Sequence, residues 1–116
     1  MQKLSLDALA RELLSKATHS GTSGPANGAR AAHTVVGGHE KALRQTVIAL
    51  AKGAALAEHA SPGEATLYVL RGRVTLTAGT DSWDGREGDL LTIPDAPHSL
   101  TALTDSAVLL TVVKRP

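Results

Sequence analysis

Two hydrophobic rhythms divide the chain. Leu4, Leu6, Leu9, Leu13 and Leu14 recur at helical spacing, with Lys3, Asp7, Arg11 and Lys16 largely between them, which predicts an amphipathic helix. Ser5 is placed to cap it, and the stripe ends near Ala17. Residues 1–17 therefore read as one short helix that packs on its own domain. Residues 18–30, with Ser20, Gly21, Ser23, Gly24, Pro25 and Gly28, read as a flexible linker. From Leu43 onward the rhythm becomes short β-prone runs: Leu43–Ala51, Ala54–His59, Ala65–Leu70, Arg73–Ala78, Asp89–Ile93, His98–Leu103 and Ala107–Lys114. A chain of many short strands is predicted to close into an all-β sandwich or barrel, here over residues 31–116.

Turn chemistry separates the runs. Ser61-Pro62-Gly63-Glu64 carries proline and glycine at the centre of a type II turn. Arg71-Gly72 and Asp84-Gly85 each read as a tight hairpin loop. With Arg71-Gly72 as a loop, Val69 would face Val74, Leu67 would face Leu76 and Ala65 would face Ala78, all on one apolar side. Thr66, Tyr68, Leu70, Arg73, Thr75 and Thr77 would take the other side.

Composition narrows the function classes. There is no Phe, one Trp (Trp83) and one Tyr (Tyr68), so the core must be aliphatic. Both aromatics are assigned to packing or a subunit contact. The formal net charge is +1, with no block of like charge and no aromatics for base stacking, which argues against nucleic acid. No apolar stretch is long enough to span a membrane. The absence of cysteine suits a reducing compartment, and the N-terminus lacks the layout of a signal peptide, so a cytoplasmic protein is expected. His33 and His39 flank Gly37-Gly38 without metal-ligand spacing and read as turn-region surface residues. Arg44 and Gln45 must point to opposite faces of one strand.

Two segments resemble the motifs of the cupin family. Gly53-Ala-Ala-Leu-Ala-Glu-His59-Ala-Ser61-Pro-Gly-Glu64-Ala65-Thr-Leu-Tyr-Val-Leu-Arg-Gly72 is similar to the first motif, a glycine, a His-x-His pair, a glutamate and a closing glycine. Gly88-Asp-Leu-Leu-Thr-Ile-Pro94-Asp-Ala-Pro-His98 is similar to the second: glycine, proline and a late histidine. The resemblance runs over roughly residues 43 to 113. It implies a double-stranded β-helix, or jelly-roll barrel, with a site built on three histidines and a glutamate. His59 and His98 match ligand positions, whereas Ser61 replaces the second histidine and Ala65 takes the place of the glutamate, with Glu64 one residue early. Ala96 stands near a usual glycine, and Ala102 replaces the asparagine often found after the last histidine.

The displaced carboxylate leaves two registers open, because a slip of one residue reverses a side chain's face. With a loop of Pro62-Gly63 alone, Glu64 shares a face with His59, Thr66 and Tyr68. With Glu64 in the loop, His59 and Ser61 join Ala65 on the apolar face, and Glu64 sits at a loop tip. The second register keeps the apolar face continuous and is preferred. The resemblance thus implies metal ligands His59, His98 and Glu64, for a divalent zinc, nickel, iron or manganese ion, or else no metal. Two function classes follow: a small cupin enzyme acting on a small molecule through that metal, and a non-catalytic ligand-binding or interaction module. Homodimerisation is expected from the β-rich edges.

Overall fold

The computed structural model describes residues 3–20, 29–60 and 63–114, and for Ser20 and His59 it describes the backbone alone. Most of the 18–30 linker, together with Ser61 and Pro62 of the expected type II turn, lies outside the described residues. The elements are α1 (Leu6–Ser20), β1 (Arg30–Val36), β2 (Leu43–Leu50), β3 (Ala55–His59), β4 (Gly63–Arg71), β5 (Arg73–Ala78), β6 (Asp81–Arg86), β7 (Leu90–Thr92), β8 (His98–Ala102) and β9 (Ser106–Lys114). They form two antiparallel sheets, ordered β1-β2-β9-β4-β7 and β3-β8-β5-β6. The all-β expectation of a jelly-roll barrel with an N-terminal helix holds.

The core lies between the sheets. Ile48 and Leu50 on β2, Leu67 and Val69 on β4, and Val108 on β9 face Val74 and Leu76 on β5 and Leu100 on β8. Each is a Val, Leu or Ile with at most 8% of its surface exposed, and burying one such side chain is worth about 1.5–3 kcal/mol. The alternate residues of β2 point the other way and are buried too: Val47 and Ala49 pack under α1 against Leu13 and Ala17. This explains why β2 is apolar on both faces, while β6, an edge strand in which only Gly85 is buried, is polar at most positions.

The helix starts as its sequence predicts. Ser5 Oγ accepts the Ala8 N–H at 3.1 Å, and Asp7 places negative charge in the first turn. It continues past Ala17 to Ser20, because the Thr18 hydroxyl and the His19 Nδ1–H find the carbonyls of Leu14 and Ser15 at 2.9 and 2.6 Å. Arg71, at the end of β4, reaches back to Asp7 with Nη2 donating to Oδ1 at 2.6 Å, and clasps the helix to the barrel.

Four expectations require correction. Strands β4 and β5 do not pair: β4 pairs with β9 and β7, and β5 with β8 and β6. At Gly72 the chain crosses between sheets, so Val69 and Val74, or Leu67 and Leu76, meet across the core rather than along a ladder. All four side chains belong to one core, as their alternation predicts. Secondly, Asp84-Gly85 is no turn but lies inside β6, where Gly85 is buried and an added Cβ would meet Leu91 and Val69 at 3.0 and 3.2 Å. The hairpin loop is Gly79-Thr80, closing the Ala78–Asp81 pair. Thirdly, β1 was not anticipated, and His33 belongs to it, exposed and opposite Val47. The β1 sequence lacks an apolar alternation because it is an edge strand with mostly exposed side chains. Finally, Glu64 is not at a loop tip, since β4 already begins at Gly63.

Candidate metal and ligand site at the barrel mouth

Strands β3 and β8 bring the two motif histidines together. Their ladder pairs Ala55 with Thr101 and Leu56 with Leu100, shifts by a bulge, and then sets His59 directly opposite His98. His98 is 5% exposed and its ring lines the space between the sheets. Its Nδ1 lies 2.9 Å from the Ala96 carbonyl oxygen. A carbonyl only accepts, so Nδ1 carries the proton and Nε2 is the acceptor nitrogen of the ring. A carbonyl on one imidazole nitrogen is the arrangement that orients a metal-binding histidine.

The carboxylate is placed differently. Along β4 the buried residues are Gly63, Leu67 and Val69, and Ala65 shares their face, opposite Val112. Glu64 is exposed on the other face, opposite Val113 and in line with Tyr68. Position 65 thus faces inward as an alanine. Among the described residues, no group of three or more His, Asp or Glu side chains is close enough to hold a metal ion.

The interior itself is nearly full. The cavity bounded by Ile48, Leu67, Leu76, Ile93, His98 and Leu110 measures about 30 Å³. That is room for a water or two, against the roughly 300–1,000 Å³ of pockets that hold small organic ligands. The apolar core residues extend across the space a ligand would need. A much larger opening, about 390 Å³, lies where the β5–β6 turn meets the end of β3 and the loop before β8, and its lining includes Glu58, Asp81, Trp83, Pro94 and Pro97. Of the two roles expected for the aromatics, packing within the chain is only partial, since Trp83 is 43% exposed and Tyr68 is 38% exposed on the outer sheet face. The Gly79-Thr80 loop was the missed signal. With it, Trp83 falls opposite Leu76 and Asp81 opposite Ala78, on the inner face. Arg44 is exposed near the start of β2, on the inward face it shares with Ile48 and Val112, whereas Gln45 donates from Nε2 to Thr111 Oγ1 at 3.1 Å on the outer face. His39 sits in the turn before β2, as expected.

Comparison with known proteins identifies the architecture. The family described as Cupin domain matches residues 46–114. A conserved protein of unknown function from Streptococcus pyogenes is 32% identical, with a TM-score of 0.68, the match covering 75% of each chain. A cupin superfamily protein from Desulfitobacterium hafniense is 15% identical with a TM-score of 0.73, over 98% of this chain and 92% of that one. A salicylate 1,2-dioxygenase variant from Pseudoaminobacter salicylatoxidans is 21% identical with a TM-score of 0.76, over 95% of this chain but 34% of that one. The last two likenesses concern the fold alone. No functionally curated protein matches the sequence. Both motifs, the two-sheet barrel and the family match agree, and the chain belongs to the cupin family.

Proposed function

We propose that this cupin binds a small molecule at the mouth of its barrel, beside a divalent metal held by His59 and His98. The observation that carries the reading is the β3–β8 register, which sets the two histidines opposite one another. Directly opposed positions on antiparallel strands share a face with Cβ atoms roughly 4.5–5.5 Å apart, close enough for two imidazoles to share an ion. Imidazole donors suit zinc, nickel and iron better than manganese, which prefers oxygen donors. The carbonyl contact at His98 Nδ1 leaves Nε2 as the ligating atom by its chemistry.

Two protein donors are fewer than the three or four of most zinc sites, so affinity should be modest and the remaining positions open to water or a ligand oxygen. A bound metal would supply Lewis acidity there. Glu64 is not assigned as a ligand in this reading, because its face of β4 is the outer one. The ligand is assigned to the wide opening rather than the filled interior, on the volumes above.

Elemental analysis of untagged protein purified without chelator tests the metal. Near-stoichiometric metal, or uptake of added zinc to one per chain, is expected. Protein that arrives empty and takes up none contradicts the reading. We further propose a homodimer formed through the outer face of the five-stranded sheet, where the paired residues Leu43–Val113 and Tyr68–Leu90 are exposed.

A further inference from the structure

The opening at the barrel mouth has a definite chemistry. Its wall is Trp83, the only tryptophan of the chain, with nearly half its surface open to solvent. Its charged lining residues among the described ones are Glu58 and Asp81, with no lysine or arginine among them. No ion pair among the described residues involves either carboxylate. Asp95 lies in the same loop, between the lining residues Pro94 and Ala96. This acidity is local, since the chain as a whole carries a formal charge of +1.

From this combination we infer that the groove binds a small organic cation, an amine or quaternary ammonium compound. An indole face attracts an ammonium group electrostatically, and is the best of the aromatic side chains for that purpose. Two carboxylates in the same groove add attraction for a cation and repel carboxylate or phosphate ligands. Pro94, Ala96 and Pro97 give an apolar floor that suits the alkyl part of such a molecule. The groove volume of about 390 Å³ is ample for a compound of this size. Neutral apolar ligands would gain from the indole and prolines but not from the carboxylates, and the two sources of affinity can be separated.

The inference rests on the proposal that the mouth takes a small molecule, and does not require the metal. It is tested by fluorescence titration, because Trp83 reports on the groove alone. Choline chloride is titrated in EDTA, in parallel with 3,3-dimethylbutanol, its neutral isostere. A saturable change is expected with choline at millimolar concentration, and the neutral compound should bind about fivefold more weakly or worse. Glu58 and Asp81 are both exposed, so Glu58→Gln and Asp81→Asn should preserve the fold, checked by circular dichroism. Each should weaken choline binding by roughly threefold, as for other exposed charge pairs. Trp83→Phe, followed calorimetrically, should weaken it while retaining some binding through the smaller ring. Equal response to both compounds, unchanged affinity in the double carboxylate variant, or no saturable response would each overturn the inference. Zinc titration of the same protein after removal of the EDTA separates the two readings: zinc uptake without choline binding removes this inference alone, and choline binding without zinc uptake removes the metal alone.

Discussion

Gly72 shows how a single residue can decide a topology. Its φ is +80°, and a Cβ at this position would overlap the Ser106 side chain and the Asp105 carbonyl. The Ser106 hydroxyl is fully buried there, 2.7 Å from the Thr104 carbonyl and accepting the Arg73 N–H at 3.1 Å. Gly72→Ala should therefore destabilise the protein by at least about 2 kcal/mol, through backbone strain and displacement of Ser106. Gly53 is the control, with φ +85° and nothing within 4 Å of an added Cβ, so Gly53→Ala should cost only about 1 kcal/mol. Urea unfolding measures both; equal costs would mean that the crowding at Gly72 relaxes freely. The turn at Arg71-Gly72 was legible in the sequence, but its destination was not. Turn chemistry says that the chain reverses, and only the neighbours of both strands say whether it reverses within one sheet or into another. The same limit governed the site. His98 was legible from its motif and Ala65 from the alternation it shares with Leu67 and Val69, whereas the outward Glu64 followed only from β4 beginning at Gly63.

At the scale of elements, α1 is the piece whose contribution can be isolated. Its leucine stripe covers Val47 and Ala49 and is held at one end by Arg71 and Asp7. Leu13 is 4% exposed, so Leu13→Ala should cost about 2–3 kcal/mol, and removal of residues 1–17 should lower the melting temperature while leaving the barrel folded. An unchanged melting temperature in both would make the helix a free appendage. The clasp also predicts a pH dependence. The Arg71 hydrogen bond, then its charge, hold the Asp7 carboxyl below the usual carboxylate range. A lowered native pKa stabilises above the unfolded pKa and loses that contribution as pH falls through the native value. The part of the helix's stability that comes from the clasp should thus be lost only in strongly acid solution, and that loss should be absent in Asp7→Asn. The methyl NMR signals of Leu13 report docking; an identical acid profile in the variant would exclude Asp7 as its cause. The stripe was plain in the sequence because helical periodicity is local. Strand β1 was not, because an edge strand with exposed side chains has no periodicity to read.

For the molecule as a whole, the outer face of the five-stranded sheet predicts a dimer. Multi-angle light scattering should give twice the chain mass of 11.9 kDa, and Leu90→Glu with Tyr68→Glu should yield monomers with a native circular dichroism spectrum. A monomer at every concentration of the unaltered protein would refute the proposal. The two-sheet architecture could be anticipated because its core is a repeated alternation of Val and Leu that several strands share. The filled interior and the acidic, tryptophan-walled opening could not, since both arise where distant turns converge. The central claim, that His59 and His98 together form the metal-binding pair, has one decisive measurement: calorimetric titration of zinc into the unaltered protein and its single-residue variants. His59→Ala and His98→Ala should each abolish the binding heat, and Glu64→Gln should leave it unchanged. Binding that survives the loss of either histidine, or that disappears with Glu64, would contradict the account.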